Sequence, residues 1–341
     1  MGNYWVDQGT SAGIGFTLGL LAPVVSRGIL QGYHRVRAST EMRPPDFRAE
    51  DIQFFALNQW SPIRRLHRSH VQVEFDDRPW NQDWCDQGVL DQIGRDVANR
   101  GGPSSTLRAM EVDHRESERA RDLRLVFAPS EYGDLIAVQE YFRQDPDRLR
   151  TVIERLAAED ATTMIAAAPP SVVAINMTVT SADHKLLAVR RSAAVQTSQN
   201  LWTLGPNETM LGATGASGGV ETVHSLAFRC LKAELELDED GVDRLEISWI
   251  GYNVPAALVH VVGHARSTLR SSELEDNLRQ SQGFFEADAV AWLPATAKTV
   301  HGIIDDIHQS GGTTVVPSRK WLNSAGLAAA DWWRWRRVIA P

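Results

Sequence analysis

The stretch from Gln199 to Leu237 constrains this chain more than any other. It opens with Leu201-Trp-Thr-Leu and Gly205-Pro-Asn-Glu and passes through a Gly/Ser-rich loop. It then enters Val220-Glu-Thr-Val-His-Ser-Leu-Ala-Phe-Arg-Cys-Leu-Lys-Ala-Glu-Leu-Glu-Leu, whose apolar residues recur at helical spacing. Acidic residues stand at both ends of that helix. Backbone N–H groups of such a loop can face phosphate oxygens, and carboxylates on such a helix can hold a hard cation. The segment therefore reads as a place for a metal–diphosphate, and the rest of the chain as its support.

The flanking sequence supplies a scaffold. Val172–Val179 is a strong strand and Leu186-Leu-Ala-Val-Arg-Arg another, with Ser181-Ala-Asp-His-Lys as the hairpin turn between them. Beyond the helix, Leu245–Tyr252 and Ala257–Gly263 read as strands around a turn at Asn253-Val-Pro. Ala289-Val-Ala-Trp-Leu-Pro makes a short strand before a helix at about Ala297–His308. That order describes an α/β fold with a mixed sheet. Upstream, Val71-Gln-Val-Glu-Phe and Asp122-Leu-Arg-Leu-Val-Phe alternate as half-buried strands, and Asn99–Ser105 reads as a turn. Glu131–Phe142 and Asp147–Glu159 have helical spacing, and Trp80, Trp84 and Cys85 are assigned to this region's core or its contact with the next domain. Ala161–Ala168 and Pro169-Pro170 mark a boundary. The expected division is a candidate transmembrane segment (1–30), a linker (31–49), an α+β accessory domain (50–168), an α/β domain (169–310) and a Trp/Arg-rich helical tail (311–341).

Within the central stretch, Gly215, then after five residues Glu221, after seven more Arg229, then Leu231, Glu234 and Leu237 match the spacing of the Nudix box. That loop–helix–loop signature marks enzymes that hydrolyse nucleoside diphosphates linked to another moiety. Residues 215–237 resemble a divergent, degenerate form of it, and the resemblance covers about residues 170–310. It implies a Nudix-like α/β/α sandwich with a mixed sheet, here preceded by the accessory domain. The family usually has Glu after the arginine and two adjacent Glu three and four residues later; these positions are Cys230, Ala233 and Glu234 here. The glycine near the end of the box is Glu236, and Gly205-Pro-Asn-Glu stands where Pro-Gly-Gly is common.

These departures fall on the chemistry. Positions 230, 233 and 234 share one helix face, and magnesium wants octahedral oxygen ligation with a few carboxylates. One of the three remains, and Cys230 offers a soft sulfur. The resemblance implies Glu234 and Glu208 as catalytic groups, and Glu208, Glu234 and Glu286 as ligands for Mg (or Mn). It assigns Gly215, Glu221 and Arg229 to bracing the box. Lys185, Arg190, Arg191 and Trp202 are the candidate ligand-binding residues, and because Arg190 and Arg191 alternate along a strand, one of them at most faces the site. The expected function is binding of a nucleoside-diphosphate-type small molecule with little or no turnover, as a sensor. The alternative is a Mg-dependent hydrolase that cleaves the diphosphate of a nucleotide-sugar or related derivative, and a third reading is a fold used for protein contacts. His224, His260 and His264 have no zinc-type spacing and read as satisfied or exposed histidines.

The ends of the chain differ in character. Gly9–Ser26 carries no charge, and about 18 residues is just enough to cross a ~30 Å hydrocarbon layer. Tyr4 and Trp5 precede it, and Arg27, Arg35 and Arg37 follow, which would leave the C-terminal bulk in the cytoplasm. Asp7 and Gln8 occupy the place of a signal peptide's basic region. Ser11, Gly15 and Gly19 repeat every four residues, a spacing that suits a homodimer of membrane helices. Packed instead against the soluble body, the segment would leave a cytoplasmic protein. Trp332-Trp-Arg-Trp-Arg-Arg reads either as a last helix packing its Trp residues or as an interfacial anchor. A formal net charge of −8 argues against a dedicated nucleic-acid binder. The two cysteines, Cys85 and Cys230, form no metal-type pair and suit a reducing compartment, with a single disulfide left open.

Overall fold

The computed structural model describes residues 54–56, 71–77, 103–113, 122–157, 165, 168, 169, 171–193, 195, 199–211, 221–281, 286–310, 321, 328, 329 and 332. Gly9–Ser26 with its small-residue face, the 31–49 linker, Trp80, Trp84, Cys85 and Gly215 lie outside the described residues. The chain divides into Phe47–Arg336, which contains every described residue, and a second unit of Met1–Asp46 with Arg337–Pro341. No helix among the described residues is long and apolar enough to cross a membrane.

In chain order, the first elements are β1 (Phe54–Ala56), β2 (Val71–Phe75), β3 (Pro103–Asp113), β4 (Asp122–Glu131), α1 (Tyr132–Gln144) and α2 (Pro146–Ala157). They are followed by β5 (Val172–Thr180), β6 (Lys185–Arg191), β7 (Trp202–Leu204), β8 (Asn207–Thr209) and α3 (Val223–Leu235). β9 (Val242–Asn253), β10 (Leu258–Ser267), α4 (Ser271–Gln280), β11 (Ala287–Pro294) and α5 (Ala297–Ser310) complete the set.

The larger sheet runs β1–β9–β10–β5–β6–β11, with β7 on β6 and β8 on β5. β10 and β5 are parallel, and their neighbours pair antiparallel, so the sheet is mixed as expected. β5 lies near the middle because its sequence, Val-Val-Ala-Ile-Asn-Met-Thr-Val-Thr, is β-branched and buried along nearly its whole length. A strand covered on both faces reads as a near-continuous run rather than an alternating one. α3 packs on β5, and Ile175, Met177 and Val179 share one apolar core with Leu226, Cys230 and Leu231 of α3.

Gly205 joins β7 to β8 where the chain passes close over β5. Its φ is +71°, and a Cβ there would lie 1.9 Å from the Met177 carbonyl oxygen. No side chain fits. The Met177 N–H donates to the Pro206 carbonyl at 2.9 Å, which seats β8 beside β5.

The smaller sheet runs β2–β4–β3, with β2 parallel and β3 antiparallel to β4. Leu123, Leu125 and Phe127 of β4 belong to the same core as β5 and α3. Polar contacts also join the two sheets. Ser105 N–H donates to the Met210 carbonyl (3.2 Å) and Ser105 Oγ to the Leu211 carbonyl (2.7 Å). The Thr106 and Ser171 hydroxyls lie 3.1 Å apart, and Gln139 Nε2 donates to the Ala256 carbonyl at 2.8 Å.

Most long elements fall where the sequence places them. Three do not: β3 begins inside the stretch read as a turn, β1 pairs with β9 of the larger sheet, and α4 has no counterpart in the sequence reading.

Candidate ligand site

α3 has well-formed ends. Thr222 and Ser225 cap its first turn reciprocally: Ser225 N–H donates to Thr222 Oγ1 (3.1 Å) and Thr222 N–H to Ser225 Oγ (2.7 Å). At the other end Glu236 takes left-handed φ/ψ of 48° and 34°. Its N–H donates to the Lys232 carbonyl (3.0 Å), and Leu237 N–H to the Leu231 carbonyl (3.3 Å). The bond from the Glu236 N–H to the Lys232 carbonyl makes this an αL ending, usually made by glycine. Glu236 occupies the position of the box glycine and does the same backbone job.

Arg229 and Glu221 tie the start of α3 to β8. Arg229 Nε donates to Glu221 Oε1 (2.7 Å) and Nη2 to Oε2 (3.1 Å), a bidentate pair. Nη2 also donates to the Thr209 carbonyl (2.7 Å), and Nη1 stands 3.3 Å from Glu208 Oε2. Glu221 is 8% exposed and accepts the Leu211 N–H at 3.0 Å. Its carboxylate therefore ties Leu211, just after β8, to the residue before the α3 cap.

Glu208, Glu234 and Glu286 act on one another from three elements: β8, the last turn of α3, and the approach to β11. Burial pushes the Glu234 carboxyl up to about 8, aided by the charges of Glu286 and Glu208 and opposed by Arg191. Burial also raises Glu286, with Arg191 pulling it down and Glu208 pushing it up. The Cys230 thiol is free and fully buried, which holds it well above the usual thiol range and leaves it neutral.

The basic residues separate. Arg191 donates from Nη1 to Asn207 Oδ1 at 2.8 Å and is the cation that acts on Glu234 and Glu286. Its neighbour Arg190, on the opposite side of β6, pairs with Asp288 at 2.6 Å. Lys185 Nζ lies 3.0 Å from both Asp183 Oδ2 and Ser271 Oγ, inside a clamp that fixes the start of α4. Asp183 accepts the Ser271 N–H (2.7 Å) and hydroxyl (2.9 Å), and these contacts hold its carboxyl well below the usual range. Trp202 is nine-tenths buried, with its ring centroid 6.2 Å from that of Trp321. Trp332 is buried too, and its Nε1–H donates to Thr180 Oγ1 at 3.0 Å. Lys185, Arg190 and Trp202 are thus occupied by packing and ion pairs, each with a partner distant in sequence.

Of the histidines, His260 is buried with Asn176 Nδ2 2.7 Å from its Nδ1, and burial lowers it to about 4. His264 is buried with Ser248 Oγ 3.3 Å from its Nε2.

Among the described residues, no group of three or more His, Cys, Asp or Glu is gathered closely enough to hold a metal ion. Ala233 supplies no oxygen, Cys230 is a buried neutral thiol, and Glu208 already serves Arg229 and the Thr209 N–H. As placed, this donor set does not fit magnesium.

No protein-family model matches the chain, and neither does any curated protein. Solved structures that it matches include DR0079 from Deinococcus radiodurans, 14% identical over 50% of this chain and 83% of that one, at a TM-score of 0.31. Another is the NUDIX domain of Shewanella oneidensis NrtR complexed with ADP ribose, 15% identical over 53% of this chain and 97% of that one (TM-score 0.28). A third is RenU, a Nudix hydrolase from M. smegmatis, 13% identical over 50% of this chain and 88% of that one (TM-score 0.28). Likeness at this level leaves ligand and reaction to the chemistry of the site.

Proposed function

We propose that this chain binds a nucleoside-diphosphate-type ligand beside α3, between Arg191 and Arg229, with little or no turnover. The observation that supports this most is Arg191, a cation whose charge acts on Glu234 and Glu286 at a site with no carboxylate at 230 or 233. With its carboxyl raised to about 8, Glu234 keeps its proton at neutral pH. The site then repels an anion less than its acidic residues suggest, while Arg191 offers charge-assisted hydrogen bonds to phosphate oxygens. In this reading residues 50–168 are an accessory domain and Gly9–Ser26 attaches the protein to a membrane.

The test uses purified protein with ADP-ribose, NAD and UDP-glucose, with and without Mg²⁺. At least one should raise the melting temperature and be recovered intact. Arg191→Ala should weaken that ligand by about tenfold or more, the scale of one charged hydrogen bond. Without divalent cation, affinity should fall as pH rises through about 8, because Glu234 then gains its charge beside the ligand. Absence of any stabilisation across the panel rejects the reading.

The alternative is a hydrolase in which a cation draws Glu208, Glu234 and Glu286 together. Their mutual repulsion, which helps raise Glu234, favours it. That reading predicts cation affinity that increases with pH up to about 8, since Glu234 must give up its proton to become a ligand. Glu234→Gln would abolish turnover.

A further inference from the structure

The smaller sheet touches the segment that leads into α3 through one side chain whose hydrogen bonds have a direct line to the site. Ser105 of β3 is 1% exposed. Its hydroxyl donates to the Leu211 carbonyl at 2.7 Å, and its N–H to the Met210 carbonyl at 3.2 Å. The Leu211 N–H donates onward to Glu221 Oε2 at 3.0 Å, and Glu221 holds Arg229 in a bidentate pair. Arg229 in turn lies against the Thr209 carbonyl and the Glu208 carboxylate. Residues 208–211 are therefore held from three directions. β5 pairs with them and takes the Met210 N–H at its Val173 carbonyl (2.8 Å), α3 supplies Arg229, and β3 supplies Ser105.

From this we propose that Ser105 is a positioning residue for the ligand site. It sets where the 208–211 segment sits, and with it the Glu208 carboxylate and the Glu221–Arg229 brace. The inference deepens the ligand-binding reading above and rests on it for its functional consequence. Two backbone carbonyls in succession take both hydrogen bonds of one residue, which fixes the segment's height over the sheet as well as its register. Glu208 bears on Glu234 and Glu286, so a shift of that segment changes the field at both. The smaller sheet would thereby be part of the site's frame.

Thr106 provides the control. It is the next residue on β3, is fully buried, and joins the sheets through Ser171 rather than through the 208–211 segment. Ser105→Ala removes one buried inter-sheet hydroxyl contact, and Thr106→Val removes two, to the Ser171 hydroxyl and N–H, so the control is the harsher change. In full-length protein without ligand, amide hydrogen exchange at Met210 and Leu211 should rise about tenfold in Ser105→Ala, the equivalent of one lost hydrogen bond. It should stay at the wild-type rate in Thr106→Val. Without divalent cation, ADP-ribose measured by calorimetry should bind Ser105→Ala at least about fivefold more weakly, and Thr106→Val as wild type.

Unchanged exchange at Leu211 in Ser105→Ala, or equal effects of both substitutions, overturns the proposal. So does unchanged ADP-ribose affinity in a Ser105→Ala protein whose parent binds it. If the parent binds no ADP-ribose, NAD or UDP-glucose while exchange still rises only at 210 and 211 in Ser105→Ala, the ligand reading fails and the positioning role stands. Should Ser105→Ala be recovered unfolded, Ser105→Cys, isosteric with a weak S–H donor, gives the same two readouts.

Discussion

Glu236 sits in a backbone conformation that costs a residue with a Cβ about 1 kcal/mol relative to glycine. Its carboxylate recovers part of this through Lys232 Nζ, 3.0 Å away, in an exposed i,i+4 pair. Such pairs are worth only about 0.3–0.5 kcal/mol. Glu236→Gly should therefore raise stability by roughly 0.5 kcal/mol, seen as a higher urea midpoint with an unchanged slope. A lower midpoint would mean that the Lys232 pair outweighs the backbone. At this scale the sequence is legible where spacing decides. Glu221 and Arg229 are legible through the resemblance of their spacing to the box, not through helix geometry: Glu221 stands just before the Thr222 cap, and the long Arg229 side chain reaches back to it. Strand alternation says that Arg190 and Arg191 diverge, but not which one faces the acids. Lys185 and Trp202 are illegible by spacing alone, because their partners, Ser271 and Trp321, lie far along the chain.

α3 carries Arg229, Cys230 and Glu234 on one rigid element, so its cap bears on the whole site. Thr222→Ala removes the acceptor for the Ser225 N–H and should cost about 1 kcal/mol. The change should appear in chemical denaturation, while ligand affinity of the folded fraction stays as in the parent. A loss of affinity beyond the unfolded fraction would show that the cap also positions the ligand. Elements with a strong local signal, the near-continuous apolar run of β5 and the helical period of α2 and α3, are readable from the sequence. α4 is not, because Ser-Ser-Glu-Leu-Glu-Asp-Asn-Leu-Arg-Gln has only Leu274 and Leu278 to bury, and the start of the helix is fixed by Asp183 in a distant hairpin. β3 is hidden by the Gly101-Gly-Pro turn signal, whose proline is the strand's first residue, and by three consecutive buried hydroxyl residues, Ser104, Ser105 and Thr106, which mask alternation. The parallel pairing of β5 with β10 is a tertiary choice with no local signature.

Across the whole molecule, a buried histidine and a half-buried carboxyl pull stability in opposite directions with pH. His260 titrates at about 4 in the fold against an ordinary 6.5, so the unfolded chain takes up a proton that the native state refuses. Its contribution is complete above about 6.5 and is lost as pH falls towards 4. Glu234 titrates at about 8 against an ordinary 4.5, so the native state keeps a proton that the unfolded chain has released. Its contribution is complete below about 4.5 and is lost as pH rises towards 8. Between about 4.5 and 6.5 the two proton terms cancel, and these groups alone give a plateau. Above 6.5 only the Glu234 term remains, with a slope of at most about 1.4 kcal/mol per pH unit. Urea denaturation from pH 4 to pH 9 should show stability falling between about 6.5 and 8 in the parent protein. Glu234→Gln removes that term, so the variant should rise in stability from about 4 to 6.5 and then stay level to 8. It should exceed the parent most clearly at the alkaline end. A parent and variant that decline together above pH 6.5 would show that Glu234 is solvated and charged, and would remove the neutral carboxyl on which metal-free anion binding depends.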